Sequence, residues 1–120
     1  MTKILMMTAL LAVTTFLSAQ PTRLLRQPDI HGAQVVFAYA SDLWLIDKNG
    51  GEARRLTSFP GVESDPHFSP DGTQIAFTGT YGDNYDVYVI PATGGEPKRL
   101  TWHPEIDQVR GWTKIGRAHV

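Results

Sequence analysis

The sequence predicts an all-β protein made of β-propeller blades, each of four antiparallel strands, with about two blades present and the ring incomplete. Three observations predict it. The stretch from Asp65 to Thr101 divides into four short strand candidates separated by turns. The stretch before it repeats the same order of strands and turns. The spacing between copies is 40 residues at Phe37 and Phe77 and 44 at Leu56 and Leu100, within the period of four-stranded propeller blades. One such blade cannot bury both faces alone and gains its core by stacking on neighbours around an axis.

The chain opens with Met1-Thr2-Lys3, an apolar run from Ile4 to Leu17, and Leu17-Ser18-Ala19 before Gln20. One positive charge, a short apolar core and a small residue before the cut predict a signal peptide over 1–19, cleaved between Ala19 and Gln20. The run is shorter than the roughly 20 residues a membrane span needs, so the mature chain is expected to be secreted or periplasmic and free of the membrane. No Cys follows the run, which excludes a lipoprotein anchor. Residues 20–33, with Pro21 and Pro28, are expected to form an extended lead-in, because residues before proline avoid the helical region.

A partial blade is expected over 34–64, lacking its opening strand. Gln34-Val35-Val36-Phe37-Ala38 corresponds to Gln74-Ile75-Ala76-Phe77-Thr78, and Asp42-Leu43-Trp44-Leu45-Ile46 to Asp86-Val87-Tyr88-Val89-Ile90. Gly50-Gly51 and Gly94-Gly95 are the hairpin turns before the fourth strands. The complete blade is expected over 65–101. Its first turn is Pro70-Asp71-Gly72, where Pro70 fixes φ, Asp71 bonds the backbone two residues on, and Gly72 accepts positive φ. The second copy carries four more residues, placed in a loop from Gly79 to Tyr85. Alternate residues of the third strand, Val87 with Val89 and Tyr88 with Ile90, make both faces apolar, so the sheet is expected to be covered on both sides. A third copy begins over 102–113 and departs from the pattern at Lys114, and 114–120 is expected to be a non-native tail, its last six residues resembling a translated sequencing-adapter oligonucleotide.

Composition narrows the function. The 42% hydrophobic and 19% charged residues suit a globular fold, and a net charge of -1 provides no basic footprint for nucleic acid. The basic pairs Arg54-Arg55 and Lys98-Arg99 are expected to be solvated strand ends. With no cysteine, disulfides, thiolate metal sites and a cysteine nucleophile are excluded.

Ser69, Asp71 and His67 place a hydroxyl, a carboxylate and an imidazole within five residues, but a triad needs a separate orienting group and Asp71 is committed to the turn. His31, His67, His103 and His119 lack metal-ligand spacing and suit surface or inter-blade hydrogen bonds. Asp83, Asn84 and Asp86 offer oxygens to calcium without completing a ligand loop, and turn chemistry accounts for them. The paired glycines are not phosphate loops, since no G-K-[ST] or helix follows them. The aromatics Phe37, Trp44, Phe68, Phe77, Tyr88 and Trp112 recur with the repeat and are expected to pack between blades. No catalytic residue, metal ligand or cofactor site is expected.

The S-P-D-G turn, the D-[LV]-[WY]-[LV]-I strand and the G-G-E-x-x-R-L-T ending resemble the propeller repeats of the TolB and tricorn-protease families. The run Leu56 to Gly72, its counterpart from Leu100 to Trp112, and the lead-in Arg26-Gln27-Pro28-Asp29-Ile30-His31-Gly32 are similar to the N-terminal propeller of bacterial tricorn-protease homologues. That resemblance implies a secreted serine peptidase in which a six-bladed and a seven-bladed propeller precede a PDZ domain and a peptidase core. The propellers would guide or gate peptide or protein substrates, and the partners of these blades would be the remaining blades and the catalytic domains. None of the family's catalytic segments falls in these 120 residues. The alternatives are a TolB-like periplasmic propeller that binds partner proteins without enzymatic activity, and a propeller fused to an amidohydrolase or prolyl-peptidase-like domain.

Overall fold

A computed structural model describes residues 25–102, 106–113 and 118–120. The segment expected to be a signal peptide, with Ala19 and Gln20, lies outside the described residues, as do His103 and residues 114–117 of the expected tail.

Ten strands follow in order: β1 Arg26–His31, β2 Gln34–Tyr39, β3 Asp42–Asp47, β4 Arg54–Arg55, β5 Val62–Phe68, β6 Gln74–Thr80, β7 Tyr85–Pro91, β8 Lys98–Arg99, β9 Gly111–Trp112 and β10 Ala118–His119. They form two four-stranded antiparallel sheets, β1-β2-β3-β4 and β5-β6-β7-β8, and a two-stranded pair, β9-β10. Each sheet is a meander in which every strand pairs with its sequence neighbour, the simplest connection for short turns.

The first blade is complete, which corrects the expectation of a missing opening strand. Arg26 to His31, assigned from sequence to the lead-in 20–33, pairs with β2 through Asp29↔Val36, Ile30↔Val35 and His31↔Gln34. Pro28 obscured this strand. It is tolerated because the ladder shifts register between Arg26 and Asp29, so the bulge removes the need for the N–H that proline lacks. β5 has the same device, with its shift between Ser64 and His67 around Pro66. The bulged residues Gln27 and Asp65 both have φ 52.

Two further boundaries move. Val62, Glu63 and Ser64 pair with Thr80, Gly79 and Thr78, so they open the second blade instead of closing the first. The four extra residues of the second copy lengthen the hairpin by one pair, Thr80↔Tyr85, and leave a loop of Tyr81 to Asn84. The matching hairpin of the first blade turns on Ala40 and Ser41 at φ 49 and 70, the mirror-image turn that suits strand twist, here made without glycine.

The blades stack through an apolar cluster that joins Val36, Leu43 and Leu45 of the first to Phe68, Phe77 and Ile90 of the second. Ala76, Val87 and Val109 make a second cluster on the far face of the second blade, with Val89 and Trp112 against it. Tyr88 with Ile90 and Val87 with Val89 therefore cover opposite faces, as the alternation predicted.

Candidate functional site

Each blade closes on a repeated polar network. In the first, Arg55 pairs with Asp42, its Nε donates to the Thr57 carbonyl at 3.0 Å, and the Thr57 hydroxyl accepts from Leu43 N–H at 2.9 Å. In the second, Arg99 pairs with Asp86 at 2.7 Å, its Nε donates to Thr101 O at 2.7 Å, and the Thr101 hydroxyl accepts from Val87 N–H at 3.0 Å. The fourth strand is two residues long in both sheets, so this network carries out the anchoring that a longer ladder would supply. Arg55 and Arg99 are thus partly solvated strand ends that also anchor the outer strand. The signal in the sequence was the repeated interval of 13 residues from Asp to Arg, joined to the R-L-T ending.

The seam between blades is polar at its rim. Gln27 Nε2 donates to Asp65 Oδ1 at 2.6 Å and Asp65 N–H donates back to Gln27 Oε1 at 3.0 Å, tying the two bulges together. Phe68 N–H donates to Asp29 Oδ2 at 2.7 Å. His31 Nε2 lies 3.1 Å from Pro70 O, and its ring covers Gly72, where an added Cβ would collide with it. Arg54 donates to Ala92 O and Thr93 O, both at 3.1 Å, so this cation is also a strut.

The first turn of the second blade uses up Ser69 and Asp71 of the suggestive trio. Ser69 is buried, its hydroxyl donates to Asp71 Oδ1 at 2.7 Å and accepts from Gln74 N–H at 3.0 Å. Thr73 adds its N–H and its hydroxyl to the same Asp71 oxygen. These donors, led by Ser69, hold the Asp71 carboxyl down at about 2. A hydroxyl already donating to a turn aspartate has no base to take its proton. The His67 carbonyl accepts from Trp112 Nε1 at 2.8 Å, a link to the third copy. Asp86, one of the three residues that offered oxygens to calcium, is likewise occupied by Arg99 and Thr101. Gly72 has φ 73, Gly50 and Gly51 φ 101 and 107, and Gly94 and Gly95 φ 99 and 128, with Pro70 and Asp71 preceding Gly72 in its turn.

Where the inner strands part, a cleft of about 460 Å³ opens between the ends of β1, β2 and β5, lined by Arg26, Tyr39, Ser41, Val62, Glu63 and Ser64. Glu63 is the feature that sequence reasoning missed. It is 1% exposed, and its Oε1 accepts from the Tyr81 hydroxyl at 2.8 Å. Burial above all, then the neighbouring Asp42, outweighs that bond and pushes the Glu63 carboxyl up to about 7. Burial and Glu63 together raise the Tyr81 hydroxyl as well.

Stacked four-stranded meanders with short, network-anchored outer strands define a blade-forming scaffold of the β-propeller class, whose chemistry lies in surfaces and seams. The chain belongs to the family described as the tricorn protease N-terminal beta propeller domain, which matches residues 22–120. It is 44% identical over 95 residues to tricorn protease homolog 1 of Streptomyces coelicolor, covering 78% of this chain and 9% of that protein. The crystal structure of the tricorn protease superposes with a TM-score of 0.71 at 32% identity, over 79% of this chain and 10% of that one. TolB from Acinetobacter baumannii superposes with a TM-score of 0.66 at 26% identity, over 77% of this chain and 25% of that one. The chain therefore spans about a tenth of these two tricorn relatives.

Proposed function

We propose that these blades open the N-terminal propeller of a secreted tricorn-like serine peptidase, where they scaffold and gate the approach of peptides to a catalytic core beyond this stretch of sequence. The family match over residues 22–120 carries this reading. The chemistry agrees with it, because the Ser69 hydroxyl and Asp71 carboxylate that suggested catalysis are absorbed by the turn they share. Export is supported by the charge, apolar run and small residue that precede Gln20.

Reading the genomic locus past the codon for Thr113 and expressing the complete frame tests the proposal. The expected result is further repeats, a PDZ domain and a peptidase core, with peptide hydrolysis blocked by a serine-directed inhibitor. A frame that ends after six blades and hydrolyses nothing would favour the second reading, a TolB-like interaction propeller, which the superposition on TolB supports.

A further inference from the structure

The junction of the two blades holds a buried acid that a scaffold role does not explain. Glu63 on β5 donates its main-chain N–H to Ser41 O at 2.9 Å, which fixes it beside the first blade. Its Oε2 is buried and receives no hydrogen bond among the described residues. Besides Tyr81, the groups within hydrogen-bonding reach of its carboxyl are the Thr57 hydroxyl and the Asp42 carboxyl, the latter 6% exposed and already paired with Arg55. Two carboxylates thus face each other out of water beside one guanidinium. Ionised together they repel; with one proton between them, the orphaned oxygen becomes a donor and the repulsion becomes a hydrogen bond.

We propose that Glu63 and Asp42 share one proton and form a latch between the first and second blades, closed while the proton is held and loosened when it leaves. The proton sits on Glu63 Oε2, donated to Asp42, and departs to water through the cleft beside Ser41 and Val62. The groups that face the pair are Asp42 and Arg55 from β3 and β4, the Thr57 hydroxyl after β4, and Tyr81 from the β6–β7 loop, whose ring meets Tyr88 of β7 edge-on. Arg26 of β1 is the charged group lining the cleft itself. The position recurs 44 residues on, where Asp107 N–H donates to Tyr85 O at 3.0 Å and Asp107 Oδ2 is again buried without a donor among the described residues. An acid is therefore placed at the entry to two successive blades.

The direction follows from linkage. The folded state keeps on Glu63, up to about pH 7, a proton that the unfolded chain gives up near its ordinary 4.5. The contribution is full below about pH 4.5 and lost as pH rises through about 7.

Hydrogen exchange in the complete parent protein, corrected for intrinsic rates at each pH, tests the latch. Protection of residues 56–64 is expected to fall about tenfold or more from pH 5.5 to 8, with the β6–β7 ladder nearly unchanged. Glu63→Gln replaces the proton with a permanent N–H donor and is expected to flatten the profile, keeping protection at pH 8 near the wild-type value at pH 5.5. Equal wild-type protection of 56–64 at both pH values overturns the proposal, as does an undiminished pH dependence in Glu63→Gln. Should that variant not fold, the wild-type profile stands as the test, joined by Tyr81→Phe. Loss of the hydroxyl on Oε1 is expected to move the midpoint to higher pH, and an unmoved midpoint counts against the latch.

Discussion

Phe77 has no solvent exposure and stacks on Tyr88 across the ladder, with ring centres 5.7 Å apart. Its position at the repeat period and its neighbours of the same alternation made this burial legible from sequence. Phe77→Ala should destabilise the complete propeller by about 3–5 kcal/mol through the cavity it leaves, measured by equilibrium unfolding. Asp86 differs, because nothing local in the sequence says which cation it meets. Its side chain is 4% exposed while that of Arg99 is 36% exposed, so Arg99→Ala strands a buried carboxylate that keeps only the Thr101 hydroxyl. A loss of about 1–3 kcal/mol is expected in the same measurement, with Arg99→Lys recovering only part of it because the second bond from the guanidinium is lost.

At the scale of elements, turn chemistry and strand alternation marked β2, β3, β6 and β7, the central strands of the two sheets. The inner strands were harder to read. Pro28 and Pro66 argue against strands on local grounds, and only pairing with β2 and β6 reveals bulges that accommodate them. Gly61, just before β5, has φ 139 and lies so close to Thr80 O and Tyr81 that an added Cβ cannot fit. Gly61→Ala should therefore cost about 1–3 kcal/mol. It should also raise hydrogen exchange at Val62 and Glu63, where β5 enters the sheet. Unaltered exchange at those amides would show that β5 does not depend on this close approach.

For the whole molecule, stacking is the source of stability. The far side of the second blade leaves Trp102 and Ile106 at 67% and 69% exposed, with Tyr85 and Leu100 also open. In a closed ring the following blade would cover such a face. Residues 20–120 expressed alone are expected to associate with increasing concentration and to bind hydrophobic dyes, checked by sedimentation and fluorescence. A monomer with a sharp unfolding transition would show instead that two blades suffice. Membership in the tricorn N-terminal propeller family agrees with this dependence, since tricorn protease homolog 1 of Streptomyces coelicolor embeds the matching stretch in a chain of which it is 9%.

By itself the sequence determined the blade, because periodic burial, turn glycines and the repeated R-L-T ending are local patterns that recur every 40 to 44 residues. Only the tertiary structure decided what lies between blades. The Gln27–Asp65 clasp spans 38 residues, and the Glu63–Asp42 pair joins different sheets. An acid reads as solvated in a sequence, and it becomes a buried proton carrier only when a second sheet removes its water.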